Sequence, residues 1–156
     1  MTRPPPSTRA AYRFFHPIST RWMDNDVFGH VNNVTYYSFI DTAVNTYLLS
    51  RRLLEIDSSP VVGVAVESGC VYRSPIAYPD RVTVGVRVGR LGTSSVRYEV
   101  GVFRNAEDTV SAEGHFVHVY VDRSTMRPVP MPDTVRQALR EIAADAEGAA
   151  DTEGEK

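Results

Sequence analysis

The stretch of sequence that decides the fold is residues 21–37, which read RWMDNDVFGHVNNVTYY. Residues 23–33 are dense in Asp, Asn and Gly, which favour turns, so they are predicted to form a loop. Apolar residues then recur at helical spacing and predict a long helix over residues 33–53, capped by Asn32 or Asn33. The apolar stripe is broad, so the helix is expected to be largely buried. The stripe comprises Val34, Tyr37, Ile40, Val44 and Leu48, widened by Tyr36, Phe39, Ala43 and Tyr47.

Most of the remaining chain shows the period-two alternation that is typical of β-strands. Four such strands are predicted in an antiparallel meander, over residues 61–73, 82–88, 96–103 and 109–122. Residues 11–22 are predicted to form an edge strand interrupted at Pro17, and residues 132–144 a short terminal helix. One long antiparallel sheet beside one apolar helix predicts that the sheet wraps the helix.

Composition indicates one globular domain, expected over residues 11–144. The chain has 156 residues, of which 42% are hydrophobic and 23% charged, as is ordinary for a soluble protein. The single cysteine, Cys70, excludes an intramolecular disulfide framework and a multi-cysteine zinc site. No apolar run approaches the ~20 residues needed to span a bilayer, and no secretory signal is evident, so a cytoplasmic location and no membrane partner are expected. Disordered tails are predicted for residues 1–10, with three consecutive prolines, and for the acidic residues 145–156.

The charge is unevenly distributed along the chain. The net charge is −2, yet residues 141–156 hold six acidic residues and one basic residue, whereas residues 1–140 hold 16 arginines and 13 acidic residues. The body of the protein is therefore only mildly basic, which argues against a general nucleic-acid binder. Arginine suits a phosphate-bearing small ligand, because its planar fork bonds phosphate oxygens in pairs.

Two carboxylates, Asp24 and Asp26, stand just ahead of the predicted helix. A helix start presents unpaired backbone N–H groups and partial positive charge, which stabilise negative charge developing on a carbonyl oxygen. A carboxylate held nearby can act on the same carbonyl as nucleophile or general base. These parts predict an acyl-transfer site without a Ser-His-Asp triad. The alternative is that Asp24, Asp26 and Asn32 only cap the helix and tie the loop.

The run from Asp24 to Asn33 resembles the signature Asp-x-Asp-x-x-Gly-His-Val-Asn-Asn of hotdog-fold acyl-CoA thioesterases of the 4-hydroxybenzoyl-CoA thioesterase type. Residues 72–81 resemble the aromatic-Arg-x-Pro-x-x-x-x-Asp step of that family, and residues 91–96 resemble its Leu-Gly-x-Ser-Ser hairpin. The resemblance covers residues 15–122 and implies an α+β hotdog fold, in which a five-stranded antiparallel sheet wraps a long central helix. It also implies a homodimer or homotetramer with active sites at the subunit interface.

The same resemblance implies an enzyme that hydrolyses an acyl- or aroyl-CoA thioester to a carboxylic acid and free CoA, without a metal or redox cofactor. Asp26 then takes the catalytic position, as nucleophile or general base, and the backbone N–H near Asn33 polarises the thioester carbonyl. The residues expected to support the loop are Asp24, Gly29, His30 and Asn32. The candidates for binding the CoA phosphates are Arg73, Arg90, Ser94, Ser95 and Arg97. The aromatic residues expected to line an acyl pocket or the core are Phe28, Tyr36, Tyr37, Phe39 and Tyr47.

Two other functions remain open on the sequence alone. A dehydratase or hydratase of this fold needs a histidine paired with an acid on the long helix, and the absence of histidine between residues 31 and 114 argues against it. A non-catalytic module that binds acyl-CoA could keep Asp26 for structure alone.

His115 and His118 are three apart on a predicted strand, so they should face opposite sides and share no metal. Glu67 is expected to be exposed or paired.

Overall fold

Five antiparallel strands and one long helix form the fold in a computed structural model that describes residues 2–144. The strands are β1 (Phe14–Ser19), β2 (Val61–Tyr72), β3 (Arg81–Leu91), β4 (Ser95–Arg104) and β5 (Ala112–Asp122). The α-helices are α1 (Asn33–Ser50) and α2 (Asp133–Glu141), and short 3-10 turns lie at Arg9–Ala11 and Trp22–Asp24. Neither α-helix of residues 2–144 combines the length and apolar character needed to cross a bilayer. The predicted class, one five-stranded sheet with a long helix, is confirmed.

Helix α1 begins where the sequence predicts and ends three residues early. The side chain of Asn32 caps it by accepting a hydrogen bond from the backbone N–H of Val34, at 3.2 Å. The helix ends at Ser50 because Arg52 adopts the left-handed region with φ 55°, and Leu53 N–H bonds back to Leu48. The buried face comprises Tyr36, Phe39, Ile40, Ala43, Val44, Tyr47 and Leu48.

The sheet packs this face through the alternating residues of its central strands. Every inward-facing valine of β3 from Val82 to Val88 is at most 2% exposed, and β4 contributes Tyr98, which is fully buried. The face of the sheet towards α1 is called the inner face here, and the opposite one the outer face. The predicted alternation is thus confirmed in β3 and β4, which are slightly longer than predicted, whereas β1, β2 and β5 are shorter than predicted.

The strand order is β1-β3-β4-β5-β2, which corrects the predicted four-strand meander. Strands β3, β4 and β5 do form a meander, but β2 pairs with β5 at the far edge. Strand β2 cannot lie beside β3, because β1 occupies that edge through the pairing of Phe14–Ser19 with residues 81–86. The strand β1 also continues through Pro17, which an edge strand tolerates. The connection over residues 73–80 carries Ile76, which is fully buried.

Helix α1 lies off-centre on the inner face. It packs mainly on β1, β3, β4 and β5, whereas its contacts with β2 lie near the end of that strand, where Tyr36 packs against Tyr72. The middle of β2, residues 65–68, is consequently exposed, and a register shift follows Ala65. We call the uncovered space beside Ala65, between α1 and the middle of β2, the cleft between α1 and β2. Val34 and Tyr37 were predicted as part of the buried stripe, yet they are 65% and 38% exposed.

The N-terminal residues pack against the body of the protein. Tyr12 is 5% exposed and its ring lies over Gly85 and Gly101, where a Cβ atom would come within 2.8 and 2.6 Å of it. Ser7 donates to the carboxylate of Glu113 from its backbone N–H, at 2.9 Å, and from its hydroxyl, at 2.6 Å.

The start of the chain is held as well. Arg3 donates to the carbonyl of Tyr72, and Arg73 donates to the carbonyl of Pro4. Several residues of the segment predicted as a disordered tail, residues 1–10, therefore have polar partners that are distant in the sequence. The predicted acidic tail over residues 145–156 lies outside the described residues.

Candidate active site

The loop between Asp24 and Asn32 is closed by backbone hydrogen bonds directly ahead of α1. The N–H of Asn32 donates to the carbonyl of Asp24 at 2.8 Å, and the N–H of Asp26 donates to the carbonyl of His30 at 2.9 Å. Gly29 closes the inner turn by donating to the carbonyl of Asp26 and has φ 81°. Only glycine adopts that conformation without strain. The local sequence therefore fixes Asp26 close to the helix start.

Asp24 braces this loop from its buried side. Its side chain is 2% exposed and accepts hydrogen bonds from the backbone N–H of Arg21, at 2.8 Å, and from the Arg21 guanidinium, at 2.9 Å. Both carboxylate oxygens are thereby engaged, which leaves Asp24 little capacity to act on a ligand.

Asp26 is half-buried and retains a free carboxylate oxygen. Its Oδ1 accepts from the backbone N–H of Phe28 at 2.9 Å, whereas Oδ2 accepts no hydrogen bond from residues 2–144. One oxygen thus orients the carboxylate and the other is available to attack a carbonyl or to accept a proton from water.

The first turn of α1 offers one uncommitted backbone donor. The N–H of Val34 donates to the Asn32 side chain, and that of Thr35 donates to the Asn32 carbonyl. The N–H of Asn33 has no acceptor within the described part of the chain. The hydroxyl of Tyr72 donates to the carbonyl of Asn33 at 3.1 Å and so ties the helix start to the end of β2. A free N–H at the positive end of the helix is suited to bind a carbonyl oxygen.

His30 supports the loop through its backbone and not through its ring. Its carbonyl closes the turn, whereas its ring is exposed and makes no hydrogen bond to residues 2–144. The support that the motif predicts for His30 thus comes from the backbone.

Large apolar side chains surround the loop and are strongly exposed. The ring of Trp22 packs edge-on against Tyr78, with centroids 5.9 Å apart. The exposed fractions are 83% for Trp22, 75% for Met23, 96% for Val27, 83% for Phe28 and 40% for Tyr78. We call these five residues the loop patch. An exposed apolar patch of this kind marks an interaction surface. Helical and strand periodicity could not reveal it, because it lies on irregular backbone.

The aromatic residues predicted to line an acyl pocket or the core divide between two places. Tyr36, Phe39 and Tyr47 belong to the core, whereas Phe28 and Tyr37 are exposed.

The candidates for phosphate binding are not brought together with Asp26 in one protomer. Arg90, Ser94 and Ser95 lie at the β3–β4 turn, whereas the loop lies at the opposite end of β3, about 33 Å away at the usual rise per residue. Arg90 is exposed, and its side chain makes no bond within residues 2–144.

The other two candidate arginines are already paired. Arg97 lies 3.7 Å from Glu67 and 4.0 Å from Glu99. Arg73 forms an ion pair with Glu113 at 2.6 Å. Near the loop end of β3, a groove of about 570 Å³ is lined in part by Arg81, which is not among the predicted phosphate ligands.

The remaining titratable groups hold no metal site. His115 lies on the outer face and pairs with the exposed Glu67 at 2.7 Å, as expected, while His118 lies on the inner face. Residues 2–144 contain no cluster of His, Cys, Asp and Glu that could hold a metal ion. Cys70 is half-buried, and its burial raises the pKa of its thiol, partly offset by Tyr72, so it is a poor nucleophile.

Comparison with known proteins shows which family has this architecture. The family model of the thioesterase-like superfamily matches residues 20–139. The PA5185 protein of Pseudomonas aeruginosa is 51% identical, with a TM-score of 0.87 over 91% of this chain and 99% of that one. The PA2801 protein of Pseudomonas aeruginosa, provisionally named a thioesterase, is 31% identical, with a TM-score of 0.74 over 82% and 97%. Slr0204 of Synechocystis, a 1,4-dihydroxy-2-naphthoyl-CoA thioesterase, is 16% identical, with a TM-score of 0.75 over 81% and 95%. The shared architecture confirms the predicted hotdog fold.

Proposed function

The chain belongs to the thioesterase-like superfamily and is a thioester hydrolase, and from that premise we propose that it hydrolyses an acyl- or aroyl-CoA thioester to a carboxylic acid and free CoA. The family match confirms the resemblance drawn from Asp24 to Asn33. One observation carries the proposal: within residues 2–144, Asp26 presents a free carboxylate oxygen on a loop tied to the start of α1, where the N–H of Asn33 has no acceptor.

In the proposed reaction the thioester carbonyl oxygen binds the backbone N–H of Asn33. This donor stabilises the oxyanion that forms when the carbonyl carbon is attacked, and one such donor is worth roughly 100- to 1,000-fold in rate. The partial positive charge of the helix start acts in the same sense.

Asp26 supplies the second half of the chemistry by one of two routes. As a general base, its Oδ2 takes a proton from water, the hydroxide adds to the carbonyl, and collapse of the tetrahedral intermediate expels the CoA thiolate, which is then protonated. As a nucleophile, the carboxylate attacks the carbonyl and expels the thiolate, and water then cleaves the mixed anhydride. Both routes consume one water and need no metal or redox cofactor.

We propose further that the working enzyme is a homodimer or homotetramer whose sites lie between protomers. Strand β2 is twelve residues long and has a free edge, where the outward backbone groups of alternate residues can pair with another strand. The loop patch and the exposed Val34 and Tyr37 would be removed from water when a second protomer covers the start of α1. The same arrangement would let the partner protomer supply Arg90, Ser94, Ser95 and Arg97 to the CoA phosphates. Within one chain, the distance between the β3–β4 turn and Asp26 prevents this.

The test is release of free thiol from a panel of short, long and aromatic acyl-CoAs. The wild type is expected to hydrolyse at least one, and Asp26→Asn is expected to lower kcat by roughly 100-fold or more at unchanged folding. Asp57→Asn is the matched control, because Asp57 is exposed on a loop beyond α1. Full activity of Asp26→Asn would reject its role. Absence of hydrolysis by the wild type, together with tight binding of the same CoA esters, would favour a binding module.

A further inference from the structure

His118 is a buried histidine whose ring has no hydrogen-bond partner among residues 2–144. Its side chain is 4% exposed on the inner face of β5. Nδ1 is fully buried without a hydrogen bond, and Nε2 makes none to residues 2–144. The rings of Tyr98 and Phe116 contact it at centroid distances of 5.4 and 4.6 Å. Because a buried polar group that stays unpaired is costly, the ring is expected to gain a partner that the protomer lacks.

The ring lies beside the part of the sheet that α1 leaves uncovered. His118 is the strand partner of Ala65, which is exposed in the cleft between α1 and β2. Gly63 places no side chain against the ring on its Nδ1 side. Nδ1 is closed off from solvent, whereas Nε2 is not fully buried and is therefore the nitrogen that a ligand atom can approach.

The chemistry of the ring selects the kind of ligand atom. Burial lowers the pKa of His118 to about 4, opposed in part by Asp41, so near pH 7 the ring is neutral, with one N–H donor and one acceptor nitrogen. A hydroxyl both donates and accepts, so it satisfies either tautomer. A carboxylate only accepts and would stand near the charge of Asp41, and an alkyl end would leave the ring unpaired.

We propose that His118 is a specificity-determining residue that hydrogen-bonds a hydroxyl at the far end of the substrate's acyl group, seated in the cleft between α1 and β2. This inference rests on the proposed function, because it takes the acyl group as the occupant of the cleft. Asp41, whose charge acts on His118, lies eight residues after Asn33, about 12 Å along the helix axis. The hydroxyl therefore belongs at the end of a medium or long acyl group and not beside the thioester.

Steady-state kinetics with matched substrates test the proposal. Octanoyl-, dodecanoyl- and hexadecanoyl-CoA are compared with their ω-hydroxy counterparts. At the best-fitting length the hydroxylated substrate is expected to have a kcat/KM about tenfold higher, the scale of one hydrogen bond. His118→Phe should abolish that preference, whereas His115→Phe, on the outer face, should keep it. Equal values at every length, or a preference that survives in His118→Phe, would overturn the proposal.

A binding experiment on the wild type separates this inference from the proposed function. Non-hydrolysable thioether analogues of the same CoA esters are added to protein labelled with ¹⁵N in its histidines. The His118 nitrogen signals are expected to move with the hydroxylated analogue and not with the plain one. Such a shift without any thioester hydrolysis would sustain the inference and reject the proposed function. Hydrolysis without a shift would reject the inference alone, as would nitrogen signals that already show a hydrogen-bonded ring in the ligand-free protein. If neither hydrolysis nor a shift occurs, both proposals are rejected.

Discussion

The burial of His118 should make the stability of the protein depend on pH between neutral and mildly acidic conditions. Burial lowers the pKa of this ring from 6.5 to about 4, although Asp41 opposes the shift. Between these two values the unfolded chain binds more protons than the native state, so the free energy of unfolding falls as the pH falls. Relative to pH 8, the loss from this residue should reach about 2 kcal/mol at pH 5 and level off at about 3 kcal/mol below pH 4.

Urea unfolding followed by circular dichroism measures this loss, at one fixed protein concentration because association would add its own dependence. His118→Phe is expected to remove most of the slope between pH 8 and pH 5. His115→Phe is the control, since His115 is half-buried on the outer face beside Glu67. A wild-type loss below about 0.5 kcal/mol over this range, or an undiminished slope in His118→Phe, would refute the reasoning.

Three further changes test the packing and the site. Tyr12→Ala removes the ring seated on Gly85 and should lower the free energy of unfolding by about 3–5 kcal/mol, and a urea midpoint equal to that of the wild type would contradict this. Gly29→Ala places a side chain at φ 81°, which should lower the free energy of unfolding by about 1–2 kcal/mol and lower kcat by misplacing Asp26. An unchanged kcat would show that catalysis does not depend on this turn. Arg90→Ala should raise KM for acyl-CoA about tenfold at unchanged kcat. A larger rise in KM in the control Arg81→Ala would indicate that the phosphates bind at the loop end of β3 instead.

Local sequence patterns predicted the elements of this fold well. The start of α1 follows from a capping asparagine, Asn32, next to a helical apolar repeat, and the faces of β3 follow from strict alternation from Val82 onward. Both signals depend only on neighbours along the chain, so they are readable without tertiary structure.

Features set by distant parts of the chain could not be predicted. The apolar run at the start of β2 indicates a strand but not which strand lies beside it, so its pairing with β5 was missed. Helical spacing placed Val34 in an apolar stripe, yet α1 is offset and leaves that residue exposed. The packing of Tyr12 depends on Gly85 and Gly101, which are more than 70 residues away.

The candidate site shows the same division. The motif located Asp26 and the helix start, which are adjacent in sequence and held together by local hydrogen bonds. It could not show that His30 points its ring outward, nor that Arg90 lies at the opposite end of β3. Those outcomes depend on the course of the sheet rather than on the spacing of the motif.

The anchoring of the first residues has a practical consequence for anyone who expresses this protein. Arg3 is held at Tyr72, the residue whose hydroxyl bonds the first carbonyl of α1. An affinity tag joined ahead of Arg3 therefore starts close to the end of β2, whose last side chain contacts the start of α1. Kinetic constants should be measured after the tag has been cleaved off, and a rise in turnover upon cleavage would report how near that terminus lies.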